Sequence, residues 1–265
     1  MHDLKDYTLA EFLSEQSTNF RSTLPLVHSS ESRNLPRIIS EGKITVTPCD
    51  TFTDENLAYF FHGRPSYRKA YDKPKDWQLP FVLLLKNTCL VSMHRIFPFD
   101  SGALFSGRFP NYLSDFKPEG YELASQGNAA IDLLIDIFFG SDSAYLHGKA
   151  KPVDEVKQRR KLGISHSEIE ALSAMYTRDQ VTADDRSLTI EIQSGADVSI
   201  KDHLIGIVMP RPYFDDKRLK EHLRAINKGL QIRHYDIYPL STESYIAIIY
   251  VLVKDIYSKL GRIDG

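Results

Sequence analysis

The chain has 265 residues and a mass of 30.3 kDa, with 42% hydrophobic and 26% charged residues, the balance of a globular protein with enough apolar side chain for a sizeable core. A formal net charge of -2 and a pI of about 6.5 exclude a global field that would draw it to nucleic acid or an anionic membrane, so any such partner must be held by a local patch. No run of about 18 apolar residues marks a membrane span, the opening MHDLKDYTLAEF is acidic where a signal peptide would be basic and then apolar, and Cys49 and Cys89 form neither a CxxC pair nor a disulfide framework; a cytosolic protein with two free thiols and no zinc is expected.

Residues 6–20 predict a helix with Tyr7, Leu9, Phe12 and Leu13 on one face and Thr8 as its cap. The apolar Leu24–Val27 predicts a strand that ends at His28 and points its imidazole at whatever cleft lies beyond. Ser29, Ser30 and Ser32 offer oxygens to the start of a short helix marked by Leu35, Ile38 and Ile39, and Gly42 supplies its positive-φ stop. A strand-end histidine followed by a capped helix suits a small-molecule site; the bland alternative is a satisfied polar residue near the surface.

Lys43–Phe52 reads as loop or short strand, and residues 56–61, NLAYFF, as a buried strand by aromatic enrichment. From Ser66, SYRKAYDK predicts a helix with Tyr67 and Tyr71 one turn apart. QLPFVLLLKN predicts a central strand, VSMHRIFPF a further extended piece, and Asp100-Ser101-Gly102 an ordered loop among phenylalanines. Asn128–Phe139 predicts a helix with a broad apolar face ended by Gly140. Lys149–Lys161 has six lysines and arginines without hydrophobic periodicity and predicts a mobile surface loop. Residues 165–176 predict a helix opened by a Ser165/Glu168 capping box. Then come the strand runs SLTIEIQ, HLIGIVMP and LQIRHYDIY, a helix over 215–227 between the last two, and a closing helix over about 243–260. Without repeats, linkers or low-complexity tracts, one α+β domain with a mixed sheet is expected.

Glu191 is the oddest residue of these runs. It alternates with Ile190 and Ile192, so it shares a strand face with Thr189 and Gln193. If that face is solvated the carboxylate is ordinary; if it lines a cleft, Glu191 is a candidate catalytic acid.

Three segments carry a resemblance to a known family. His28-Ser29-Ser30, with Asn34, Leu35, Ile38, Ile39 and Gly42 behind it, resembles the first motif of the ADP-ribosyltransferase fold, especially the poly(ADP-ribose)-polymerase-like branch and the DarT-type DNA-modifying toxins. Leu57-Ala58-Tyr59-Phe60-Phe61 followed by Ser66, Tyr67 and Tyr71 is similar to the second motif, in which a tyrosine and the next helix wall the nicotinamide pocket. Ile190-Glu191-Ile192-Gln193 is similar to the third, which carries the catalytic glutamate. The three occur in the family's order and cover about a quarter of the chain.

The resemblance implies a split, mixed or antiparallel sheet with flanking helices over residues 1–265, an insertion at about 97–161, and transfer of ADP-ribose from NAD, used as substrate without a metal, to a macromolecule. Cleaving the nicotinamide–ribose bond builds positive charge on the ribose, which a nearby carboxylate stabilises more in the transition state than in the ground state. Glu191 takes that role; His28 bonds the adenosine-side ribose, and the Ser29 backbone fixes the nicotinamide amide. Tyr59 and Tyr67 stack on the nicotinamide, Ser66 and Tyr71 belong to the same wall, and Arg64 and Arg68 either pair with the pyrophosphate or are simply solvated. Nucleic acid is the first-choice acceptor, with Lys151, Arg159, Arg160 and Lys161 as its contacts and protein as the alternative acceptor. The toxin likeness adds an antitoxin or immunity partner. DSGALFSGRFP is either an NAD-covering loop or a packed turn, and the rest of the insertion matches nothing in the family. Two other readings stand beside this one: a pocket that senses NAD or ADP-ribose without turnover, and a metal-dependent nuclease using Glu191, Gln193, Asp184 and Asp185.

Overall fold

The computed structural model describes residues 5–67, 69–90, 93–178 and 186–263, which form two compact units. The first takes its described residues from 5–23, 95–178 and 186–191, the second from 24–94 and 192–263. The described helices are α1 (Leu9–Ser14), α2 (Leu35–Glu41), α3 (Ser101–Phe105), α4 (Asn128–Phe138), α5 (Asp142–Leu146), α6 (Val153–Arg160), α7 (Ser167–Thr177), α8 (Arg211–Asp215), α9 (Lys217–Ile226) and α10 (Thr242–Lys259). The strands are β1 (Leu26–Glu31), β2 (Lys43–Ile44), β3 (Thr47–Pro48), β4 (Asn56–His62), β5 (Pro80–Leu85), β6 (Arg95–Phe97), β7 (Glu191–Ser194), β8 (Val198–Ser199), β9 (Leu204–Pro210) and β10 (Gln231–Tyr235). The chain is thus α+β with a sheet of mixed orientation.

The second unit is built on β5, whose six residues PFVLLL are all buried, as a strand covered on both faces must be. β5 pairs antiparallel with β1 on one side and with β9 on the other; β1 continues antiparallel to β4, and β9 to a parallel β10. A parallel pair needs a crossover, and α8 and α9 supply it. Gly206 of β9 lets α10 lie close to the sheet: a Cβ there would meet Leu84 at 2.8 Å and Ile256 at 3.2 Å.

The first unit packs around α4, whose residues from Ala130 to Ile135 are all buried. Phe138, Phe139, Tyr145 and Tyr176 meet at ring centroid distances of 5.1 to 5.3 Å. The two tyrosine hydroxyls are satisfied inside: Tyr176 donates to the Pro98 carbonyl at 2.7 Å, and Tyr145 accepts the Ile190 amide at 3.1 Å. Tyr121 stacks edge-on against Phe99, 5.1 Å between centroids.

Several expectations need correcting. Thr8 does cap α1, in a capping box with Glu11, but the helix stops at Ser14 because the polar run that follows offers nothing to bury. His28 is not at a strand end: pairing with β5 carries β1 on to Glu31. None of Ser29, Ser30 and Ser32 caps α2; Ser32 Oγ donates to the Leu79 carbonyl and Ser30 Oγ accepts from Asn34. Gly42 does end α2, at φ 69°.

No helix forms among the described residues of 66–73, a stretch too short between Pro65 and Pro74 for two stable turns. Asp100-Ser101-Gly102 is no loop but the start of α3, with the Asp100 side chain accepting from the Ala103 amide at 2.9 Å. Lys149–Lys161 is not a mobile loop: it contains α6, with Asp154 and Glu155 in the first turn, Arg159 and Arg160 in the last, and Val156 buried, so helix-dipole pairing and one anchor replace periodicity. α7 begins at Ser167, not Ser165, and Glu168 turns inward, where it accepts the Leu9 amide at 2.7 Å. SLTIEIQ is a strand only from Glu191; Arg186–Leu188 is a 3-10 turn. No helix of the described residues is long and apolar enough to cross a membrane. Cys49 and Cys89 are free thiols.

Candidate functional site

In the second unit, β1 and β4 bring His28 and Tyr59 together. His28 Nδ1 lies 3.0 Å from the Tyr59 carbonyl, which can only accept, so the proton sits on Nδ1 and the lone pair on Nε2. Burial lowers the His28 pKa against the opposing pull of that carbonyl and so favours the neutral ring. Phe60 and Phe81 hold the imidazole at 5.6 and 6.4 Å. Ser29 Oγ beside it is buried without a hydrogen-bond partner among the described residues. The Tyr59 hydroxyl meets Cys49 Sγ at 2.7 Å.

The other residues of the expected wall are placed less uniformly. Tyr67 is buried with its hydroxyl donating to the Gln78 carbonyl at 2.8 Å, and burial pushes its pKa far up. Tyr71 donates to Glu31 at 3.0 Å, and with no helix among the described residues of this segment the two tyrosines share no helical face. Ser66 is buried, its Oγ without a partner among the described residues. Arg64 is buried rather than solvated, its guanidinium 5.4 Å from the centre of the Tyr250 ring. Arg68 lies outside the described residues.

Sequence reasoning missed Glu31, which closes β1. It accepts from Arg33 at 2.5 Å, Lys69 at 2.8 Å and Tyr71 at 3.0 Å. Burial would raise its pKa, but these donors outweigh it and hold the carboxyl below its ordinary value. Little in its local sequence marks it, because only Arg33 is near in the chain and its other two donors, Lys69 and Tyr71, come from the segment after β4.

Glu191 belongs to the first unit and is fully enclosed, at 0% exposure, with Thr189 and Gln193 on the same strand face buried as well. The solvated-face reading of this carboxylate is therefore overturned. Ser101 donates to Glu191 Oε1 at 2.6 Å. Beside Ser101 in sequence, Asp100 pairs with Arg186 at 3.1 Å, an ion pair buried on both sides. The Tyr145 hydroxyl fixes the amide of Ile190, one residue before the carboxylate. Asp100 and Ser101 carried a signal that could have found them: Asp before a short apolar run is an N-cap pattern.

The basic stretch is largely neutralised within its own unit. Lys157 pairs with Glu170 at 2.9 Å, Arg159 with Glu155 at 3.0 Å and Arg160 with Asp136 at 3.1 Å, while Lys151 donates to the Asp136 carbonyl at 2.5 Å. Lys161 is exposed in the left-handed conformation that ends α6. Of the carboxylates weighed for a metal, Asp184 and Asp185 lie outside the described residues, and no group of three or more metal-binding side chains occurs among the rest. No protein-family model matches the chain, and no curated protein matches its sequence.

Proposed function

We propose that this chain transfers ADP-ribose from NAD to a macromolecular acceptor, in a cytosolic setting and through a single fold of the ADP-ribosyltransferase type with residues 97–161 as its insertion. The observation that carries the reading is the pinned imidazole of His28. A neutral ring with Nδ1 tied to Tyr59 offers Nε2 as an acceptor, which suits a donor such as a ribose hydroxyl and not an anionic phosphate oxygen. In this reading Ser29 fixes the nicotinamide amide, and Tyr59 and Tyr67 give the ring its apolar wall together with Ser66 and Tyr71. Arg64 supports the pyrophosphate side with Arg68. Glu191 stabilises the positive charge that builds on the ribose as nicotinamide leaves, and the acceptor nucleophile then takes the anomeric carbon. Nucleic acid is preferred to protein as acceptor, with an antitoxin or immunity protein as the expected regulatory partner.

The test is incubation with labelled NAD and a mixture of single-stranded DNA, RNA and lysate proteins. Wild type should release nicotinamide and label a macromolecule, and Glu191→Ala and the isosteric Glu191→Gln should do neither. Label transfer by the Gln variant at the wild-type rate would overturn the assignment. The complete enclosure of Glu191 favours a second reading, a module that binds NAD without turnover. Retained NAD with no nicotinamide release, in a folded wild type, selects it.

A further inference from the structure

The crossover from β9 to β10 carries a local charge that the chain as a whole lacks. Arg211, Lys217, Arg218, Lys220, Arg224 and Lys228 stand there against Asp215, Asp216 and Glu221. Lys217, Arg218, Arg224 and Lys228 are exposed and have no ion-pair partner among the described residues, in contrast to the matched cations of α6. The cause is the amphipathic design of α9. Leu219 and Leu223, one turn apart, take the buried side and leave the remaining positions to water. Lys220 sits 3.9 Å over the ring of Phe214, which stacks on His234 at 4.2 Å.

Alongside this helix, within the same unit, runs a groove of about 390 Å³ between α2 and the α8–α9 crossover. Pro36, Ile39, Pro212 and Tyr213 give it apolar and aromatic walls, and Arg218 and His222 stand at its rim. Its volume lies at the small end of the range for ligand pockets, roughly 300–1,000 Å³. Asp216 also lines it, with Oδ1 engaged by the Leu219 amide that it caps. A carboxylate in the wall repels phosphate and accepts from an exocyclic amine, so it selects a base for the groove and leaves the phosphates outside.

We infer that this face holds single-stranded nucleic acid, with one unpaired base in the groove against Tyr213 and the flanking phosphates on the unmatched cations of α9. A net charge of -2 gives the rest of the molecule no attraction for a polyanion, so the local excess must supply it. Bases held in a duplex cannot enter such a slot, whereas an unpaired base presents both faces and its edge. An anionic membrane fits less well. A lipid-seeking helix exposes its apolar face, and none of the large exposed hydrophobic residues lies on α8 or α9. As a surface for the acceptor, the proposal rests on the transfer reading, but binding is measured without NAD. Failure to bind leaves NAD consumption to be judged separately, and a chain that binds nucleic acid without consuming NAD loses only the transfer reading.

The experiment is fluorescence anisotropy with a labelled single strand of roughly 20 nucleotides and its duplex over a salt series. Wild type should prefer the single strand. Arg218→Ala with Arg224→Ala should weaken binding about tenfold at low salt and flatten the log–log salt slope by about 1.4, two contacts at about 0.7 each for single strands. Tyr213→Ala should weaken binding about tenfold with the slope unchanged. Lys43→Ala, which removes only a cation already matched by Asp197, should change neither. Circular dichroism checks that each variant folds, and the paired surface variants keep the test alive if Tyr213→Ala does not. Absence of binding, an unchanged salt slope in the double variant, duplex preferred over single strand, or capture by anionic vesicles or polyglutamate in place of the oligonucleotide overturns the proposal.

Discussion

Ser101 Oγ donates to Glu191 Oε1 at 2.6 Å, and both side chains are fully enclosed. A buried carboxyl group is costly unless partners replace the lost water, and the hydroxyl at the start of α3 is one such donor. Ser101→Ala should therefore cost about 1–3 kcal/mol in urea unfolding, the range for removing a donor from a buried acceptor. In the transfer reading nicotinamide release should fall in the same variant, because Glu191 loses one of the contacts that orient it. A variant as stable as wild type would show that the hydroxyl is dispensable.

The Asp100–Arg186 pair should be expensive to halve and cheap to remove. Arg186→Met leaves a buried carboxylate without its cation and should cost about 3–5 kcal/mol. Asp100→Asn retains the oxygen that caps α3 while losing the charge. The double variant should recover a large part of the Arg186→Met loss, so chemical denaturation of the four proteins should give a clear coupling energy. Simple additivity would refute the coupling.

Glu168 gives the first unit a dependence on pH. Burial pushes its carboxyl up to about 6 against the hydrogen bond from the Leu9 amide, while the unfolded value stays at 4.5. A raised pKa makes its contribution fully present below pH 4.5 and lost as pH rises through about 6. Glu168→Gln keeps an acceptor for Leu9 without the charge. After a discount for partial solvent screening, it should be more stable than wild type at pH 7 by on the order of 1 kcal/mol. That advantage should vanish below pH 4.5, and thermal melts across the range will show whether it does.

His62 acts in the opposite direction in the second unit. It is buried at the end of β4, and burial pushes its pKa down to about 3 from 6.5. A depressed pKa contributes stability that is present above pH 6.5 and is lost as pH falls toward 3, where the unfolded chain takes a proton that the fold refuses. His62→Leu should flatten the acid limb of the stability profile in that window. An acid limb as steep as in wild type would assign it to other groups.

How much of this was legible depended on how local each determinant was. The continuous apolar runs of β5 and β9, the broad apolar face of α4 and the glycine after α2 are written in neighbouring residues, and they appeared where expected. The His28 strand and the buried aromatic strand after it were legible for the same reason. The helix expected over 66–73 failed because periodicity cannot weigh two flanking prolines against tertiary hydrogen bonds from Tyr67 and Tyr71. α6 was missed because charge order along its dipole, with a single buried valine, leaves no hydrophobic period to detect.

By itself the sequence determined the α+β class, the central strand, most helix and strand positions, and the oddity of a carboxylate among isoleucines, since each follows from residue type and spacing within one short window. Only the tertiary structure decided that Glu191 is enclosed and bonded to Ser101, that His28 is held as one tautomer by Tyr59, and that the cations of α6 are matched while those of α9 are not. Burial, protonation and charge pairing depend on partners tens of residues away. No local pattern encodes which of them the fold will bring within hydrogen-bond reach.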